Sequence, residues 1–480
     1  MLLGFVILYL IASIGIGIYA ATKVHNAKDY IAAGRSLPFY IVTAMVFATW
    51  FGAETVLGIP ATFLKEDLAG LISDPFGASL CLVLFGLFFA RKLYRRNLLT
   101  IGDFYRQRYD RTVEVVTGIA IALSYLGWVS AQVTALGLVF NVLSDGVITQ
   151  QQGILIGAAV VLLYTLYGGM WSVALTTFFQ MIVIVIGLIY IAWLLAGMTG
   201  GVAPVIAHAA DNAKFHFWPE MNAVALIAFI SGLLTMGFGS IPQQDVFQRA
   251  NSSKNETVAV WGTVAGGLAY FLFAAVPLFM AYSANLIDPD LAAKWLAADS
   301  QKLLPELIKG HLPLFAQVIF YGALLAVIMS TASGTLLAPS VTISENVIKD
   351  FITRRRHLPD HQLLVITRWV VAVFTVLVTA YALWALEKDT GIHKMVENAY
   401  KVTLVLAFVP LTAGLYWPRA STRGAYWAIA LGLITWIPLE LFLPEGDIPP
   451  QFAGFLMACI GMLLGSWLTP HRSRHAAVLE

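Results

Sequence analysis

The chain has 480 residues, and its 29 Lys and Arg with 27 Asp and Glu make only 12% charged residues, against about 25% in a soluble protein. With 59% hydrophobic residues and a mean hydropathy of +0.79, it carries more apolar side chains than one globular core can bury, so lipid must be its solvent. A formal charge of +2 without a long basic run removes the electrostatic footing of nucleic-acid binding, and the same composition excludes disorder.

Apolar runs between polar interruptions predict thirteen helices, at about 2–21, 39–63, 71–90, 113–140, 151–167, 172–198, 222–247, 258–284, 313–347, 364–386, 400–416, 424–443 and 451–469. The runs do not alternate with period two, which excludes an outer-membrane barrel and leaves an all-α polytopic bundle. The first run, Leu2 to Ala21, lacks a basic leader and a convincing cleavage site and reads as a retained helix. An odd number of spans puts the termini on opposite faces. With the N-terminus outside, 21 of the 29 Lys and Arg fall on the cytoplasmic side, among them the cluster from Arg91 to Arg111 and the run Arg354 to Arg356. The positive-inside rule therefore predicts N-out, C-in. The two cysteines, Cys81 and Cys459, each lie in an apolar run, so neither a disulfide framework nor a cysteine zinc site is expected. The polar connections at about 199–221, 285–312 and 387–399 are short, so residues 1–480 read as a single transmembrane domain. No nucleotide, zinc-protease or hydrolase motif appears, which argues against an enzyme.

Two predicted helices carry backbone breakers at membrane depth. The second contains Gly52, Gly58 and Pro60, and the seventh contains Gly232, Gly237, Gly239 and Pro242. Ordinary glycine packing with a proline kink is one reading. The other is a pair of unwound helices lining a cavity, because freed carbonyls survive in a membrane only there and are natural ligands for a desolvated cation. The two segments are five apart, so they cross in opposite directions, as equivalent helices of an inverted repeat must. Glu54, near the middle of the second segment, is the most conspicuous charge: a carboxylate at that depth costs ~2.5–3.5 kcal/mol and needs water, a cation or donors.

Four strings, DYIAAGRSLPF, YTLYGGMWSVALTTFFQ, IPQQDVFQR and MSTASGTLLAPSVTISENVIKD, in this order between residues 29 and 350, resemble the sodium:solute symporter family, whose members carry proline, sugars, sialic acid, pantothenate or choline with sodium. The resemblance implies the five-plus-five inverted-repeat fold of sodium-coupled transporters, with a first repeat at about 39–198, a second at about 222–416, and extra helices at 2–21, 424–443 and 451–469. It implies a sodium site formed by the backbone carbonyls of Ala48, Phe51 and Val327 with the hydroxyls of Ser330 and Thr331. Several oxygens around a hard cation are chemically apt. Alone, such hydroxyls bond back to their own helix. A second sodium site in some relatives uses an Asp on the sixth helix and hydroxyls on the ninth. Here Thr177 takes the Asp position, followed by Gln180, and Ser333 is present but its neighbour is Gly334, which implies one sodium per cycle.

The family's solute site lies beside the sodium. Trp50 stands where proline carriers have an Asp, and the strings ATWFG and WVSAQVTALG resemble the choline branch, whose tryptophans Trp50 and Trp128 match; aromatic faces hold a desolvated cation by ~2 kcal/mol. Gln243 takes the place of a third tryptophan of that branch, so such a cage would be incomplete, and core packing between helices is the other reading of the two tryptophans. Asp74, in SDPFGASL, is either a solute ligand or a helix cap before Pro75. Trp50, Glu54, Asp74, Trp128 and Gln243 are thus the candidate solute residues, suited to a cation or a polyhydroxylated solute. The expected function is a plasma-membrane symporter, in the inner membrane if bacterial, that imports a small organic solute with sodium by alternating access. The alternative is a transmembrane solute sensor acting through a separate partner, since residues 470–480 leave only a short tail.

Overall fold

The computed structural model describes residues 2–22, 31–349, 360–444 and 446–469. Within them, all regular structure is helical apart from one isolated bridge between Leu37 and Ser253. In chain order the helices are α1 (Leu2–Ala21), α2 (Phe39–Trp50), α3 (Glu54–Glu66), α4 (Ala69–Arg95), α5 (Ile101–Arg108), α6 (Arg111–Leu143), α7 (Gln150–Met198), α8 (Val202–Asp211) and α9 (Ala223–Gly239). They continue as α10 (Gln244–Asn251), α11 (Glu256–Ile287), α12 (Pro289–Ala298), α13 (Leu303–His311), α14 (Leu314–Ile348), α15 (Asp360–Glu387), α16 (Ile392–Tyr416), α17 (Thr422–Phe442) and α18 (Pro450–Trp467). Among the described residues nine helices are long and apolar enough to cross a membrane, or up to eleven if each of two bent pairs counts as one span. The protein is a multi-pass membrane protein.

Each of the thirteen expected stretches is helical, with shifts at the edges. The fifth and sixth are one helix, α7, broken only at Gly169, whose φ of 51° leaves the helical region. The eleventh starts earlier than expected, at Ile392, because the polar run His393 to Lys401 has helical spacing and buries Met395, Val396 and Tyr400 on one side. The connections expected as polar links also hold the short amphipathic helices α8, α12 and α13. Helix starts are set by polar caps: Asp110 accepts from Val113 N–H at 2.9 Å, Asn222 from Ala225 N–H at 2.8 Å and Asn255 from Val258 N–H at 2.9 Å.

Helix α2 lies at the centre, packed against α7, α11 and α14. Lipid offers no hydrophobic drive between helices, so close backbone approach must supply the contact. Gly262 and Gly266 of α11 supply it. A Cβ at Gly266 would stand 2.6 Å from Val46 Cβ and 3.0 Å from the Thr43 carbonyl, and one at Gly262 would stand 2.9 Å from Val42. Helix α16 packs on α6, α9 and the first turn of α3, while α17 and α18 form a hairpin against its middle and α1 lies on α7 and α14. We expect Gly266→Ala to lower stability by ~1–3 kcal/mol through overpacking. Gly197→Ala, where a Cβ meets nothing within 4 Å, should be neutral or slightly stabilising. Thermal unfolding in detergent checks both; equal melting of the two variants would refute the close α2–α11 contact.

Candidate functional site

The expected break in the second span is real. Helix α2 ends at Trp50 and α3 leaves at 53° to it. Between them Phe51 takes φ −81° and ψ 74°, and Gly52 N–H donates to the Trp50 carbonyl at 3.0 Å, which together make an inverse γ-turn. Helix α3 opens with a wide turn in which Ile59 N–H reaches the Glu54 carbonyl. A Cβ at Gly52 would stand 2.4 Å from a Glu54 carboxylate oxygen, so any larger residue there would displace that carboxylate from its present position. The seventh span breaks similarly: α9 and α10 meet at 45° across Ser240 to Gln243.

At the first break, helix α14 presents Ser330 and Thr331. The Ser330 hydroxyl lies 2.7 Å from the Ala48 carbonyl and 2.9 Å from the Val327 carbonyl, and Thr331 Oγ1 is 3.4 Å from the Ala48 carbonyl. Four oxygens from two helices therefore converge, and all four residues are fully buried. Phe51, the fifth expected ligand, is the γ-turn residue itself, whose ψ turns its carbonyl off the α2 axis. The set is neutral and all oxygen, which suits a hard monovalent cation.

Beside it lies an aromatic cluster. Trp50 meets Trp128 edge to face at 5.3 Å and stacks over Tyr400 at 6.1 Å; Trp128 in turn stacks on Tyr125 at 6.1 Å. Glu54 is 2% exposed, and its carboxylate accepts from Trp128 Nε1 at 3.1 Å and from Gln132 Nε2 at 2.7 Å. Gln132 Oε1 also accepts from Ala53 N–H at 2.9 Å, so one amide serves both the break and the carboxylate. Gln243 donates to Ser124 at 2.8 Å and to Thr403 at 3.3 Å, one turn from Tyr400. Trp50 Nε1, Tyr400 Oη and Gln243 Oε1 are buried without a hydrogen-bond partner among the described residues, so each is able to bond a polar guest.

Asp74 sits apart from the rings. It is an extended residue inside the first turns of α4, its peptide bond to Pro75 is cis, and its carboxylate accepts from Tyr270 Oη, 3.4 Å from Thr55 Oγ1. A cavity of about 570 Å³ is lined by Lys65 and Lys394 and also by Gly58, Ser73 and His393. Gly58 lies one turn beyond Glu54, and Ser73 immediately precedes Asp74.

Tyr125, Gln132, Tyr400, Asp245 and Arg249 were not among the expected residues. Gln132 and Tyr125 stand four after and three before Trp128, so helical spacing carried that signal. Tyr400 had none, because its partners come from distant helices.

A profile of the sodium:solute symporter family matches residues 30–432. The chain belongs to this family. It is 25% identical over 460 residues to the human high affinity choline transporter 1, covering 90% of this chain and 75% of that one. To the osmoregulated proline transporter OpuE of Bacillus subtilis it is 27% identical over 489 residues, covering 96% and 94%. In structure it is similar to the substrate-bound, outward-open state of a Na+-coupled sialic acid symporter, with a TM-score of 0.79 at 18% identity over 98% of this chain and 97% of that one. Symporter family and fold make this a transporter and not an enzyme.

The Glu54 contacts are testable by a double-mutant cycle. Trp128→Phe removes a hydrogen bond to a buried carboxylate and should cost ~1.5–3 kcal/mol, and much less in a Glu54→Gln background. Chemical unfolding of the four proteins measures the coupling; a coupling near zero would show that the indole does not hold the carboxylate.

Proposed function

We propose that this symporter couples the entry of a small organic solute to sodium, with the ion held between the broken end of α2 and α14. The observation that carries the reading is the convergence of the Ala48 and Val327 carbonyls on the Ser330 and Thr331 hydroxyls. An ion there joins the two helices, so sodium favours the arrangement in which they are together. That arrangement leaves the cavity above Gly58, Ser73 and His393 as the solute's way in. We read residues 39–198 and 222–416 as inverted repeats, the chain as N-out and C-in, and the plasma membrane as its place.

The solute would lie among Trp50, Trp128, Tyr125 and Tyr400, beside Glu54. A buried carboxylate held only by neutral donors, next to four aromatic rings, favours a cationic solute over a neutral sugar. The similarity to choline transporters supports the same class. Gln243, whose Oε1 has no hydrogen-bond partner among the described residues, would add a polar contact.

Sodium should raise the melting temperature in detergent where equimolar potassium does not, because a ligand bound only to the folded state stabilises it by about 2.7 kcal/mol at a hundred times its Kd. The double variant Ser330→Ala, Thr331→Val should lose that increment. If it keeps the full increment, the ion lies elsewhere. For the solute, quaternary ammonium compounds should compete for binding, Trp50→Phe should weaken them less than Trp50→Ala, and Glu54→Gln should weaken them by ~1.5–3 kcal/mol. Unchanged affinity in Glu54→Gln would remove the cationic reading.

A further inference from the structure

Arg249 is the charge that the proposed site does not use. It lies on α10, just past the second break, and its side chain is completely buried. Its Nε donates to Thr49 Oγ1 at 2.9 Å, and its Nη1 donates to the Asp245 carbonyl at 2.8 Å and stands 3.8 Å from an Asp245 carboxylate oxygen. Nη2 is buried with no hydrogen-bond partner among the described residues. That nitrogen occupies the space over Gly334: a Cβ built there would stand 2.1 Å from it.

The position matters more than the burial. Thr49 is the residue after Ala48 on α2, and Gly334 is one turn beyond Ser330 and Thr331 on α14. The guanidinium thus touches both helices that carry the sodium oxygens, next to Ser333, whose hydroxyl donates to the Ser330 carbonyl at 3.2 Å. On α7, Thr177, which the family resemblance puts where some relatives carry an Asp, is a buried hydroxyl whose oxygen has no hydrogen-bond partner among the described residues. The counter-charge is Asp245, on the same helix as Arg249. Asp245 also accepts from Tyr125 Oη, and Tyr125 stacks on Trp128.

We propose that the Arg249 guanidinium is a resident cation that fills the room left by Gly334 in place of a second transported ion, and so fixes the protein at one sodium per cycle. The proposal rests on the sodium reading above. A guanidinium cannot dissociate or lose its charge, so the region keeps one positive charge with Asp245 throughout the cycle, while a sodium would have to be released and rebound. The same group ties the ion helices to the aromatic cluster through Asp245 and Tyr125.

Equilibrium binding of radioactive sodium to the purified full chain in detergent tests it. The wild type should bind one ion per chain; two ions would overturn the proposal, and none would instead overturn the sodium reading on which it rests. The double variant Arg249→Gln, Gly334→Ser leaves Asp245 without its cation and adds a hydroxyl, and should bind two ions, with the sodium dependence of melting steepening from first to second order. A folded double variant that still binds one ion would overturn the proposal. Gly334→Ala alone gives a second readout that does not depend on that variant: it should cut the folded yield several-fold, and Arg249→Lys, with its smaller head, should restore it in the same chain with one ion bound. Gly334→Ala that folds and binds sodium as the wild type does would show that the guanidinium does not fill this space.

Discussion

A backbone that leaves the helix inside a membrane has no water to turn to, and this constraint organises the centre of the protein. Helix α2 stops at Trp50, and the carbonyls it frees must be matched by something. Part of the match is local: the γ-turn at Phe51 uses the Trp50 carbonyl, and Gln132 takes the Ala53 N–H. The rest comes from α14, whose Ser330 reaches the Ala48 carbonyl. A hydroxyl that bonds a foreign helix and its own at once is well placed to give up either bond to an ion. The break is therefore both the structural problem and the place we propose for the ion.

The buried charges follow from the same geometry. Glu54 can stay where it is because Gly52 leaves room for its carboxylate and Trp128 and Gln132 donate to it. Asp74 depends on Tyr270, and Asp245 on Tyr125 and Arg249. Each carboxylate is thus held by donors from another helix, so the region proposed for the ion, the aromatic cluster and the cavity lined by Gly58 and Ser73 are joined by hydrogen bonds and neighbouring residues. A change in how α2 and α14 meet would be felt at Trp50, which is both the last residue of α2 and the centre of the rings.

Much of this was legible from sequence because lipid makes composition informative. Apolar runs located the helices, and glycine and proline marked both breaks. Motif resemblance brought Ala48, Val327, Ser330 and Thr331 together, and the structure places them within hydrogen-bond reach. The connections were less legible, because the short helices α8, α12 and α13 are amphipathic and too brief to stand out from polar links. Tyr400 escaped because its meaning lies in contacts with Trp50 and Trp128, far away in the chain. Arg249 lay in plain sight within IPQQDVFQR, yet a chain of letters cannot show that its guanidinium rests on Gly334.

The coupling itself is tested most directly in proteoliposomes holding the purified protein, loaded with potassium and given an inward sodium gradient in the presence of a labelled quaternary ammonium solute. The account predicts accumulation above the outside concentration that collapses when sodium is equal on both sides, and none with the Ser330→Ala, Thr331→Val chain. Accumulation of equal size without a sodium gradient, or in the double variant, would contradict it.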